Sequence, residues 1–168
     1  VIGLAAAGGV LSAVFELTGA KWGRGYRRIA EAGTALMPLG LLGLTVLLAT
    51  GHAWLPWIHA DHLAGGRPHW LVRPFWDARV LGSLLLAYAV LLRFLWWSWR
   101  RDFCVAGVPG RFGGWLGRRL ARGIADPALE AIRCGRRLAV LAPVVAIVYA
   151  LAFSLLGFDL VMALDPVW

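Results

Sequence analysis

One hundred and sixty-eight residues, 60 % hydrophobic and only 15 % charged, exclude an ordinary soluble domain, which carries about 25 % charged residues. The net charge of +8 does not point to nucleic acid, because the basic residues fall between apolar stretches and build no soluble face. The length suits one helical bundle and leaves no separate soluble domain of normal size.

Four apolar stretches, about 1–20, 32–55, 80–99 and 138–160, each match the roughly 20 residues that cross a ~30 Å hydrocarbon layer as a helix. Lipid offers the backbone no hydrogen bonds, so such segments are helices. The expected fold class is therefore all-α, a polytopic transmembrane helix bundle with four spans, forming one domain over residues 1–168. Val1 lies within an apolar run that has no basic flank before it, so no signal peptide is expected here. The chain reads as a piece of a longer protein, with a processed small subunit as the alternative.

The first span is rich in small residues, Gly3, Ala5, Ala6, Ala7, Gly8 and Gly9, which let helices approach closely in lipid. Glu16 sits one turn from its end. It is either an acid reaching the interface near Lys21 or a proton-carrying or quinone-facing group. In the tight connection that follows, Glu31 stands at helical spacing from Arg27 and Arg28 and is expected to pair with one of them at the mouth of the second span. Pro38 then interrupts or kinks that span.

The connection over 56–79 carries His59, His62 and His69, with His52 just before it, beside Asp61, Trp54, Trp57 and Trp70. His59, Asp61 and His62 lack the spacing of a helical ligand pair and have no fixed fourth ligand, so no metal is expected. No histidine on another span pairs with His52 to hold haem. The tryptophans read as an interfacial belt. At the mouth of the third span, Pro74 suits a first turn, Arg73 and Asp77 are four apart and can pair, and Arg79 enters the membrane beside Asp77. Trp96, Trp97 and Trp99, followed by Arg100 and Arg101, read as an aromatic belt with basic anchors. Arg93 lies within reach of that end by snorkelling.

The long connection over 100–137 is glycine-rich but lacks a phosphate-binding pattern. Its Trp115, Leu116 and Leu120 interleave with Arg118, Arg119 and Arg122, as in a segment lying on anionic headgroups. Cys104 and Cys134 stand thirty residues apart and read as small, semi-buried side chains. Asp126-Pro127 is a helix start, and that helix is expected to run on past Arg136 and Arg137 into the last span. Asp159 and Asp165 close the chain. They lie six residues apart, about 240° around a helix, and do not share a face.

Charge asymmetry sets an orientation. The connections over 21–31 and 100–137 fall on one side by parity and hold thirteen of the 17 basic residues. The positive-inside rule places them in the cytoplasm and the connection over 56–79 outside.

The closing string F-x-x-x-x-F-D-x-x-M-A-L-D-P-x-W, from Phe153 to Trp168, resembles the D-x-x-M-S-L-[ED]-P-x-W signature of the quinone-interacting membrane subunits of bacterial alternative complex III. Within that group the chain is most similar to the second, haem-free paralogue of the polysulfide-reductase type. Gly19-Ala20-Lys21-Trp22 with Arg27-Arg28-Ile29-Ala30-Glu31 is similar to the family's G-A-x-W…R-R-x-A-E loop, and residues 70–79 (WLVRPFWDAR) to its Y-L-N-x-P-F-F-x-x-R string. The chain departs from the family at Trp70, Val72 and Val167, where the family has Tyr, Asn and His. A lysine that usually precedes the Y-L-N string has no counterpart here.

The resemblance implies about ten spans in the whole subunit, quinol oxidation in the bacterial inner membrane, and electrons leaving through haem c and iron–sulfur clusters on partner subunits. Those partners are a paralogous quinone-binding membrane subunit, a multihaem cytochrome c and an iron–sulfur protein. This chain has no CxxCH and no ferredoxin-like cysteine run, so it holds no redox centre of those kinds. Its expected contribution is a quinone-facing slot or proton-conducting acids, with Asp159 first and Asp165, Glu31, Arg79, Glu16 and Asp77 behind it. Membrane lipid is the other expected partner. The competing readings are a purely structural membrane anchor and a fragment of a secondary transporter.

Overall fold

The computed structural model describes residues 2–20, 22–54, 72–106 and 115–162. Among these every regular element is helical. In chain order they are α1 (Ile2–Leu17), α2 (Arg24–Ala32), a 3₁₀ turn (Gly33–Leu36), α3 (Met37–Ala49), α4 (Gly51–Trp54), α5 (Arg73–Ala106), α6 (Trp115–Ala121) and α7 (Pro127–Met162).

Three helical segments are long and apolar enough to cross a membrane: Gly25–Ala49, Arg73–Val105 and Pro127–Val161. The chain is therefore a membrane protein by helix length and composition. The fourth expected span, α1, is apolar but only 16 residues long. Its end is fixed by backbone chemistry. Ala20 N donates to Phe15 O and Gly19 N to Glu16 O, while Gly19 takes φ +62. This is a Schellman cap, in which a glycine in the left-handed region closes the last turn.

The second span also differs in its bounds. Helix begins at Arg24, eight residues before the expected start, because Arg27, Arg28 and Glu31 find partners and the charged turn can be helical. The break comes at Pro38. Proline has no N–H to offer Thr34 O, and Met37 N takes that carbonyl instead, which winds Gly33–Leu36 into a 3₁₀ turn. Elsewhere in the spans hydroxyls bond back to their own helix, Thr45 Oγ1 to Leu41 O at 2.8 Å and Thr50 Oγ1 to Val46 O at 2.9 Å, so no hydrogen-bonding partner is demanded of lipid.

Helices α5 and α7 form the principal pair. Trp76, Val80, Leu84, Leu91, Phe94 and Leu95 on α5 pack in one buried cluster with Leu138, Ala142, Val145 and Leu156 on α7. Small residues of α1 (Ala5, Ala6, Ala13) and Met37, Leu44 and Leu48 of α3 complete it. The approach of α1 to α2 is very close: a Cβ at Gly8 would stand 1.8 Å from Ala30 O. Only hydrogen fits there, which gives the small-residue run a specific purpose. Leu39, Leu42, Val46, Leu85, Leu86, Val140, Ile147, Leu151 and Phe158 remain exposed, as expected of surfaces that meet lipid.

The last helix starts as the sequence implies. Asp126 Oδ1 accepts from Ala128 N at 2.8 Å and Leu129 N at 3.3 Å, with Pro127 in the first helical position. The helix then runs unbroken through Arg137 and Pro143 to Met162.

Candidate functional site

Among the described residues, buried polar clusters lie toward each end of α5. The first gathers around Glu31, which is 1 % exposed. Its Oε1 accepts from Ser12 Oγ at 2.6 Å, Ser98 Oγ at 2.9 Å and Arg27 Nε at 3.1 Å. Its Oε2 accepts from Trp99 Nε1 at 2.8 Å and from Arg28 Nη1. Each serine also receives a bond from Arg27, Nε to Ser12 Oγ at 2.8 Å and Nη2 to Ser98 Oγ at 2.7 Å. The hydroxyls thus relay between guanidinium and carboxylate, each using its donor and an acceptor lone pair.

Glu16 and Asp102 extend this cluster. Arg101 grips Glu16 bidentately, Nη1 to Oε1 at 2.6 Å and Nη2 to Oε2 at 2.8 Å, and Arg27 Nη1 adds a third contact at 3.2 Å. Arg28 Nε donates to Asp102 Oδ2 at 2.9 Å and Nη2 to Ser98 O at 3.2 Å. Three arginines (27, 28, 101) therefore face three carboxylates (16, 31, 102), and the formal charges cancel. Burial of a charge is tolerable only with such pairing and hydrogen bonding. The expected Arg27 or Arg28 partnership of Glu31 is present with both.

The second cluster is built on an arginine–aspartate pair. Arg79 on α5 and Asp159 on α7 meet bidentately, Nε to Oδ2 at 2.8 Å and Nη2 to Oδ1 at 2.5 Å. Their side chains are 9 % and 1 % exposed. A fork-to-fork pair of this kind is among the stronger charge-assisted contacts. The Arg79 guanidinium also lies 5.2 Å from the Phe75 ring centre. One turn away, Arg73 Nε faces Asp77 Oδ2 at 3.6 Å, the i, i+4 pairing read from sequence.

Arg79 and Ser98 are 19 residues apart on one helix, a rise of about 28 Å. The two clusters are thus separated along α5 by about the thickness of a hydrocarbon layer.

Of the six sequence candidates, the structure joins Asp159 to Arg79, Glu31 to Glu16 through Arg27, and Asp77 to Arg73. Asp165 lies outside the described residues, as do His59, Asp61, His62, His69 and Arg111. The described residues contain no group of three His, Cys, Asp or Glu side chains placed to hold a metal ion. Cys104 and Cys134 are free and buried. Sequence reasoning missed Ser12, Ser98, Trp99, Arg101 and Asp102. The tryptophan reads locally as part of a belt, yet its indole N–H is committed to Glu31. The available signal was the S-W-R-R-D string over 98–102, where polar groups follow an apolar run at helical spacing.

Compared with known proteins, the chain matches no family model, no curated protein and no solved structure.

Proposed function

We propose that this chain is an integral membrane subunit of a quinol:electron acceptor oxidoreductase of the alternative complex III type. It lies in the bacterial inner membrane with residues 21–31 and 100–137 cytoplasmic and 56–79 periplasmic. It contributes a helix bundle without its own redox centre, beside partner subunits that carry haem c and iron–sulfur clusters.

The observation that carries this reading is the Arg79–Asp159 pair. It sits where α5 and α7 reach the outer edge of the membrane, within the two strings that resemble the family. Quinol oxidation releases two protons and two electrons. The electrons pass to redox groups on partners, and the protons need a base near the headgroup. Asp159, a buried acid within reach of that edge and paired with Arg79, is the candidate for this role. Asp77 is a further acid at the same end.

Substitution in the intact complex tests this. Asp159→Asn, alone and with Arg79→Gln to restore charge balance, is expected to lower quinol turnover at least about tenfold while the complex still assembles. Unchanged turnover in an assembled complex would overturn the reading and leave the chain as a structural anchor. That second reading has its own support at the opposite end, where the carboxylates of Glu16 and Glu31 are saturated by donors and serve as structural ties.

A further inference from the structure

Arg93 and Arg137 present a second kind of arrangement, with no carboxylate. The Arg93 guanidinium lies 5.0 Å from the centre of the Trp97 ring, and that of Arg137 lies 4.3 Å from the same centre. Arg93 stands one turn before Trp97 on α5. Arg137 stands where α7 passes into its apolar run. The two cations therefore meet at one ring, one from each of the two packed helices. Both arginines are exposed, and Trp97 is half-buried against the core. Among the described residues neither arginine forms an ion pair, whereas Arg27, Arg28, Arg79, Arg100 and Arg101 all do.

The depth of this group is informative. Arg93 lies five residues, about 7 Å of helix rise, to the membrane side of Ser98. An arginine at that depth reaches toward the interface along its own helix, and here the Trp97 ring guides it there. Indole rings and guanidiniums favour the headgroup layer. Two uncompensated guanidiniums on one rigid ring call for an anion, and arginine matches phosphate oxygens with paired N–H donors. A zwitterionic headgroup brings its own cation to the site, so a headgroup with net negative charge fits better.

We propose that Arg93, Trp97 and Arg137 form a binding site for the phosphodiester of an anionic phospholipid in the leaflet on the basic side of the membrane. The site is independent of the quinol reading above, because it uses neither Arg79 nor Asp159.

The test uses the full chain purified in mild detergent, probed with phosphatidylglycerol and phosphatidylcholine by native mass spectrometry and by thermal unfolding. The wild type is expected to retain phosphatidylglycerol preferentially and to unfold at higher temperature in its presence. Arg93→Gln/Arg137→Gln is expected to weaken phosphatidylglycerol retention about tenfold or more. Arg93→Lys/Arg137→Lys keeps the charge but loses the paired donors. It is expected to fold like the wild type and bind with an intermediate loss, which keeps the proposal open to refutation if the neutral variant does not fold. Equal retention of both lipids, or unchanged retention in both double variants, would overturn it. So would inorganic phosphate displacing the lipid at comparable concentration, which identifies a site for free anions. Cross-linking of either arginine's neighbourhood to an acidic partner helix in intact membranes would assign the site to a protein carboxylate instead, and equally overturn it.

Discussion

The two ends of the bundle hold their charges by opposite means. At the basic end six ionised groups from α1, α2 and α5 share two serines and an indole, and each carboxylate has two or more donors. At the far end the bidentate Arg79–Asp159 contact joins α5 to α7. The basic-end network ties three helices through shared acceptors, so any rearrangement there strands several buried groups at once.

The largest effect expected from breaking this contrast is at Glu31. Glu31→Ala leaves Arg27 and Arg28 without their common carboxylate and strands Ser12, Ser98 and Trp99. A loss of about 3–5 kcal/mol is expected, read as denaturant unfolding of the detergent-solubilised chain. Glu31→Gln keeps the shape and should lose less. At the far end, Arg79→Gln leaves Asp159 buried and uncompensated and is expected to cost about 3 kcal/mol. The double variant with Asp159→Asn should recover a large part, since no lone charge remains. A cost for the double variant equal to the sum of the two single-variant costs would show that the pair contributes no coupling.

Gly8→Ala probes the close approach of α1 and α2 that the basic-end network depends on. Its Cβ cannot coexist with Ala30 O at 1.8 Å, so the backbones must part. A loss of about 1–3 kcal/mol is expected, accompanied by a change in Trp99 fluorescence as its contact with Glu31 loosens. Smallest is Asp126→Ala, which removes the cap of α7 outside both clusters and should cost about 1 kcal/mol. A larger cost would mean that the start of α7 also supports the Arg100–Glu130 contact at 2.7 Å.

Helix class, the start of α7 at Pro127 and the Arg73–Asp77 and Glu31–Arg27 pairings were legible in the sequence, because each depends on neighbours within one turn. The end of α1 is harder to see in the sequence. Its apolar composition continues to Ala20, but Gly19 ends the helix through a backbone conformation that hydropathy does not register. The start of the second span was read late, since a hydropathy boundary is drawn at charges while a paired charge is compatible with helix. Contacts such as Arg28 with Asp102, Arg27 with Ser98 and Arg79 with Asp159 join residues 71 to 80 positions apart. No local pattern specifies them. They depend on which helices are adjacent, and apolar stretches of similar character do not state that order.

Helices α5 and α7 do not stop at the polar cluster around Ser98. Past it α5 continues to Ala106, about 12 Å further, and α7 has already run about 15 Å from Pro127 before reaching Arg137. Between them Arg100 reaches from α5 to Glu130 and, through Nη1, to Leu120 O at 2.9 Å and Arg122 O at 3.1 Å, so α6 is bolted to their flank. The result is a short, stiff extension of the α5–α7 pair beyond the Glu31 cluster, so that a rotation of α5 against α7 would carry α6 with it as a tilt.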